Sequence, residues 1–191
     1  MSKSSAGIDL APGGILLPET AVSRAVDRLA TWVGEIASLL WAVLVLVIVV
    51  QVVARYAFGQ GSIMMEELQW HLYAIGFMLG MSFTEVQGRN VRIDVLAEKF
   101  APRTRLWIEL VGIAALLLPF TLVVIWFATS FFWSSFTLNE VSAAPGGLPY
   151  RWFLKSFIVS AFALLALVAF GRLTRVLAAL SGAGAASAPR H

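Results

Sequence analysis

The sequence predicts an all-α integral membrane protein with four transmembrane helices. Of its 191 residues, 59% are apolar and 13% are charged, and the mean hydropathy is +0.83. Soluble domains are only about 45–50% apolar. Long apolar runs also recur along the chain, and about 20 such residues in a helix cross a hydrocarbon core of about 30 Å. Composition and run length therefore predict the same class.

The chain divides into three parts in this interpretation. We expect a flexible segment over residues 1–20, a four-helix membrane domain over residues 21–178 and a disordered tail over residues 179–191, which is rich in Gly, Ala and Ser. The spans are expected at about residues 34–55, 64–85, 106–128 and 152–172.

Two further helices are expected outside the spans. Apolar residues recur on one face of residues 21–33, which predicts an amphipathic arm helix that lies on the membrane before the first span. Between spans two and three, Asp94 is placed to cap a short cytoplasmic interfacial helix over residues 95–100. Within span three, Pro119 is expected to kink or locally open the helix.

The basic residues predict the orientation. Eleven of the 14 Lys and Arg residues lie before span one, between spans two and three, or after span four. Because cytoplasmic loops carry the excess of basic residues, we expect both termini to lie in the cytoplasm. The same distribution explains the net charge of +3 without a nucleic-acid partner, since it forms no basic patch.

Several classes of chemistry are excluded or disfavoured. The chain has no cysteine, which removes disulfides, thiolate nucleophiles and Cys-ligated metals. No phosphate-binding loop, zinc spacing or nucleophile elbow is present. His191 is terminal, so His71 has no second membrane histidine with which to hold a haem. We therefore expect no enzymatic activity and no cofactor.

The second span carries the residues most in need of explanation. Glu67 and His71 are four residues apart and share a helix face, so they suit either a proton or cation relay or a polar pair that docks on another helix. The docking interpretation is favoured because no second buried carboxylate or histidine continues a relay. Gly76 and Gly80 form a G-x-x-x-G, a spacing that lets two helices approach closely.

Two other pairs are candidates for contacts with a partner subunit. Gln51 and Arg55 share a face at the outer end of span one, where they suit either an interfacial anchor or a partner contact. Arg92 and Asp94 belong to the densest charge cluster of the chain, which suits either an internal salt-bridge network or a docking surface.

Three sequence segments together resemble one family. They are Glu-Glu-Leu-Gln-Trp-His-Leu at residues 66–72, Gly-Arg-Asn-Val-Arg-Ile-Asp-Val at residues 88–95, and Pro-Gly-Gly-Leu-Pro at residues 145–149 followed by Trp152 and Lys155. Their combination resembles the small permease subunit, the DctQ-like family, of tripartite ATP-independent periplasmic (TRAP) transporters. The resemblance covers about residues 24–175.

The resemblance implies a function and partners. A small four-helix subunit of the bacterial inner membrane would scaffold a large permease that imports an organic acid-type solute with sodium coupling, and a periplasmic binding protein would deliver the solute. No residue of this chain would bind substrate, and packing or subunit contacts would be the role of the candidates Gln51, Arg55, Glu67, His71, Gly76, Gly80, Arg92 and Asp94. Two alternatives are an autonomous small transporter or channel and a membrane-anchored assembly or sensor protein.

Overall fold

The computed structural model describes residues 9–11, 15–88 and 100–181. These residues are helical apart from turns, loops and a short antiparallel hairpin of β1 (Asp9–Ala11) and β2 (Ile15–Leu17). The helices are α1 (Ala21–Phe58), α2 (Ile63–Val86), α3 (Pro102–Val111), α4 (Leu118–Thr137) and α5 (Arg151–Leu180). Residues 95–99 of the expected interfacial helix and most of the expected tail lie outside the described residues.

The first helix differs from the sequence-based prediction. It runs unbroken for 38 residues, about 57 Å, so the amphipathic segment 21–33 is continuous with the first span instead of forming a separate arm. Thr20 caps its start by accepting a hydrogen bond from the amide of Ser23, and Gly59 ends it with a φ of 66°. The physical reason for the difference is packing: the segment's Val26 and Val33 contact a buried cluster that includes Leu164 and Val168 of α5.

Among the described residues, three continuous helical stretches are long and apolar enough to cross a membrane. They are α1, the continuous rod of α3 and α4 over Pro102–Thr137, and α5. The 24 residues of α2 span about 36 Å, which is long enough, but their apolar character falls short because acidic residues and His71 lie among them. The second of the four predicted spans, at residues 64–85, therefore remains a prediction.

The rod of α3 and α4 contains a local widening. A π-helical segment, Gly112–Leu117, joins the two helices immediately before Leu118 and Pro119. Proline lacks an amide hydrogen and clashes with the preceding turn, so a wider turn relieves the helix there. The expectation that Pro119 locally opens the third span is confirmed.

Helix α5 lies at the centre of the fold and contacts every other helix. Its buried residues include Ala161, Val168 and Arg175, which are spaced by seven. A matching seven-residue stripe in α1 is made mostly of small or polar side chains, at Ser23, Ala30, Ala37, Leu44 and Gln51. Seven-residue spacing keeps one face of a helix turned to its neighbour, and small side chains let membrane helices approach closely.

Candidate functional site

Glu67 holds the loop that joins α4 to α5. Its carboxylate accepts hydrogen bonds from the hydroxyl of Ser142 and from the amide of Leu148, the latter at 2.6 Å. Gly147 lies so close that an added Cβ would be 2.8 Å from Glu67 Oε2. This arrangement, the loop clamp, fastens the start of α2 to a segment about 80 residues later and explains why the Pro-Gly-Gly-Leu-Pro motif needs its second glycine.

The hydrogen bond of His71 goes to the main chain of Glu67. Its Nδ1 lies 2.6 Å from the main-chain oxygen of Glu67, one helical turn earlier. The geometry brings the two residues together as their spacing predicts, but it turns the carboxylate toward the loop and the ring toward the helix backbone. No relay of side chains continues from His71 within the described residues.

Gln51 and Arg55 bind α2 at the same end of the bundle. The guanidinium of Arg55 donates to Glu66 Oε1 at 2.5 Å, and the amide of Gln51 donates to the same oxygen at 3.1 Å. Gln69 donates in turn to the side-chain oxygen of Gln51. Gln51 is buried, while the side chains of Arg55 and Glu66 are 51% and 48% exposed. The two sequence-predicted candidates therefore lie together, with Glu66 and Gln69 as partners that the spacing within one helix did not reveal.

An ion pair also fixes the loop between α4 and α5 to the start of α5. Lys155 donates to Glu140 and its Nζ lies 3.7 Å above the ring of Phe131. The hydrogen bond from Lys155 holds the pKa of Glu140, which lies in the loop, below its ordinary value of 4.5. The amide of Arg151 also donates to the main-chain oxygen of Glu140. Loop and helix start are thus joined by both charge and backbone.

The opposite end of the bundle carries a buried ionic cluster that the sequence analysis missed. Arg172 of α5 donates to Glu109 of α3 at 2.5 Å and to Glu85 of α2 at 3.0 Å. One turn later, Arg175 donates to Asp27 of α1. The arginines and Glu109 have side chains only 7% exposed. We call these five residues the arginine cluster.

The sequence analysis missed the arginine cluster because the excess of basic residues on the cytoplasmic side already explains Arg172 and Arg175. A signal for it does exist in the sequence: Glu109 falls inside the predicted third span, and a carboxylate there requires a cationic partner. Applied to Glu109, this rule points to a basic residue on a neighbouring helix, and Arg172 is such a residue.

The glycines of the G-x-x-x-G lie in different surroundings. An added Cβ at Gly76 would contact the indole of Trp41 at 3.4 Å, so this glycine serves the packing of α2 on α1. An added Cβ at Gly80 would meet nothing within 4 Å. Both glycines nevertheless line one open groove of about 680 Å³ along α1 and α2, to which Leu165 of α5 also contributes.

The remaining candidates, Arg92 and Asp94, lie outside the described residues. Within the ranges that the structure does describe, no group of three or more histidine or acidic side chains is placed to hold a metal ion. The polar side chains described above mainly bind other helices and the loop, at the two ends of the bundle.

Comparison with known proteins decides the family. A family model described as "Tripartite ATP-independent periplasmic transporters, DctQ component" matches residues 44–179, which is more than half of the chain. The chain belongs to the DctQ family. Neither curated proteins nor solved structures gave a match. Because the DctQ component is part of a membrane transporter that works with a large permease and a substrate-binding protein, the predicted family and the general class of function are confirmed.

Proposed function

We propose that this DctQ-family chain scaffolds the large permease of its transporter and does not itself bind the transported solute. The observation that carries the proposal is the use of its polar side chains. Arg172, Arg175 and Glu67 are all engaged by other parts of the same chain, at the ends of the helices. A solute-binding subunit would instead present polar groups near the middle of the membrane, as transporters with midplane sites do.

The finer features of the transporter form part of the same proposal. The family match supports a complex in which the large permease carries an organic acid-type solute inward with sodium, after delivery by a periplasmic binding protein. The distribution of Lys and Arg supports an inner-membrane subunit with four spans and both termini in the cytoplasm. Later residues of α2 pair with earlier residues of α1, from Gln51 with Glu66 to Gly34 with Phe83, and this antiparallel packing supports counting α2 as a span.

Reconstitution tests the scaffold role. The chain and its large permease partner are purified together, placed in liposomes and assayed for sodium-driven uptake of a panel of radiolabelled organic acids in the presence of the binding protein. We expect uptake with both membrane subunits, none with either alone, and no saturable binding of the panel to this chain. Uptake by this chain alone would refute the scaffold role.

The absence of native cysteine permits a direct topology test. Single cysteines introduced at Ser4 and at Ser187 should react with a membrane-impermeant maleimide only after the cytoplasmic face is opened. A cysteine introduced at Gly61, in the connection between α1 and α2, is the matched control and should react in intact spheroplasts. Reaction of the two termini from opposite faces would contradict the four-span arrangement.

A further inference from the structure

One outward surface of the bundle differs chemically from the others. It follows the line of contact between α1 and α2, and we call it the α1/α2 seam, formed by Trp41, Tyr73, Phe77, Gly80 and the polar residues around Arg55. Tyr73 packs edge-on against Trp41, with ring centroids 5.7 Å apart, and stacks on Phe77. All three rings are 42–55% exposed. The seam is therefore an open aromatic surface and not a buried contact.

Tyr73 is poorly suited to a surface covered by lipid. It is the eleventh residue of the 24-residue α2, so it lies near the middle of that helix. Tyrosine in membrane proteins concentrates at the water interface, where its hydroxyl is solvated. A phenol near mid-membrane needs a hydrogen-bond acceptor supplied by protein, because hydrocarbon offers none. Within the described residues, its hydroxyl makes no hydrogen bond.

The groove at Gly80 is shaped for an inserted side chain. It has a volume of about 680 Å³, and its lining includes small residues of both helices, such as Gly34 and Gly80, beside larger ones such as Trp41 and Leu165. This chain's own packing does not require the glycine, since a Cβ at Gly80 would meet open space. A Cβ added at Gly76, by contrast, would make ordinary van der Waals contact with the indole of Trp41. Gly80 keeps the groove open without serving an internal contact.

The outer end of the same seam is polar and half exposed. A second groove of about 360 Å³ lies there, lined by residues that include Gln51, Arg55, Glu66 and Gln69. The ion pair between Arg55 and Glu66 is about half exposed. The outward face of α4 offers a contrast, because Leu122, Val123 and Phe127 are exposed there. Charged and amide groups favour a protein neighbour that can complement them, whereas the apolar face of α4 suits lipid.

We propose that the large permease subunit docks on the α1/α2 seam. One of its transmembrane helices lies along the seam, places a bulky side chain in the groove at Gly80, accepts a hydrogen bond from Tyr73 and presents polar groups to the Arg55–Glu66 pair. This inference rests on the proposed scaffold function and adds the surface that performs it. Covering the seam also supplies protein surroundings for α2, which is not among the helices apolar enough to cross a membrane by composition alone.

Photo-crosslinking tests the surface. A benzoylphenylalanine replaces Phe77 on the seam or, as a matched control, Phe127 on the outward face of α4; the two native rings are 55% and 68% exposed. Each variant is co-expressed with the tagged large permease and irradiated in membranes. We expect an adduct with the large permease from position 77 and only background from position 127.

A second test fills the groove with a bulky side chain. The variant is Gly80→Phe and its matched control is Gly112→Phe, because an added Cβ meets nothing within 4 Å at either glycine. Both variants should purify with unchanged helix content. Gly80→Phe should lose most of the copurified large permease, whereas Gly112→Phe should retain it.

The outcomes separate this inference from the function on which it rests. If the large permease copurifies with the unchanged chain but crosslinks from position 127 and not from position 77, the seam is refuted and the scaffold role stands. An adduct from position 77 with a second copy of this chain, or only with lipid, refutes the seam in the same way. If the large permease does not copurify with the unchanged chain, the scaffold role fails and the seam fails with it.

Discussion

Replacing Arg172 by methionine should destabilise the bundle more than any other single loss of charge considered above. The substitution removes the cation that Glu85 and Glu109 both contact, and the Glu109 side chain, which is only 7% exposed, is then buried without it. Removal of one partner from a buried ion pair costs about 3–5 kcal/mol, because the remaining charge is left buried without compensation. We therefore expect Arg172→Met to lower the free energy of unfolding by about that amount.

The matched control is Arg55→Met at the other end of the bundle. The Arg55–Glu66 pair has a similar length but both side chains are about half exposed. Exposed pairs are worth about 0–1 kcal/mol, since solvent screens them. Unfolding is followed by helical circular dichroism as sodium dodecyl sulfate is titrated into mixed micelles. If Arg172→Met and Arg55→Met lose equal amounts of unfolding free energy, burial is not the reason for the larger cost expected at Arg172.

A compensating variant sharpens this prediction. Arg172→Met combined with Glu85→Met and Glu109→Met removes the buried carboxylates as well as the cation. Replacement of a whole buried ionic group by apolar side chains of similar volume is often neutral or stabilising. The triple variant should therefore be more stable than Arg172→Met alone. A triple variant that is less stable would show that the arginine acts through packing and not through charge.

Three further predictions concern the loop and the hairpin. Gly147→Ala should disrupt the loop clamp, because the added Cβ would overlap Ser142 and crowd the Glu67 carboxylate. Limited proteolysis should therefore cut the α4–α5 loop faster in this variant than in the control Gly61→Ala, where the added methyl group meets open space. Glu140→Gln should lower the free energy of unfolding at pH 7. The difference from the unchanged chain should shrink as the pH falls below 4.5, because a carboxyl with a lowered pKa loses its contribution only when it is protonated. A difference that does not depend on pH would contradict a charge effect of Lys155. Leu17→Ala should cost about 2–5 kcal/mol in the same micelle titration, because Leu17 is fully buried against the α3 and α5 cluster, and a loss near zero would show that the hairpin does not pack there.

The sequence predicts most of the helices, but it does not predict that residues 21–33 are continuous with the first span and pack on α5. Hydrophobic run length identifies α1, the α3–α4 rod and α5, because length and composition are local properties. The relation of the segment 21–33 to its neighbours is not local. Its amphipathic pattern fits a helix on a membrane surface and a helix packed on α5 equally well. The buried positions Ser23 and Ala30 carry little hydropathy, so no hydropathy pattern could reveal them.

The site shows the same limit in its side-chain partners. Spacing correctly brings Glu67 and His71 to one part of α2, but the hydrogen-bond partners of the Glu67 carboxylate lie 75 and 81 residues later. Spacing within one helix cannot identify a partner in a distant loop. The arginine cluster was missed for a different reason, because topology offers a sufficient explanation for Arg172 and Arg175 until Glu109 is considered as a carboxylate inside a span.

The position of α2 in the bundle follows from contacts at both of its ends. Glu67, one turn from the start, binds the loop between α4 and α5, and Glu85, at the last turn, binds Arg172. The same carboxylates reduce the apolar character of α2, so the groups that make the helix a poor independent span are those that attach it to the rest of the fold. An isolated α2 would leave them unpaired at the edges of the membrane. Hydropathy measured on the helix alone counts each carboxylate as a cost and omits the hydrogen bonds and ion pair that offset that cost, so a low hydropathy does not contradict the predicted span at residues 64–85.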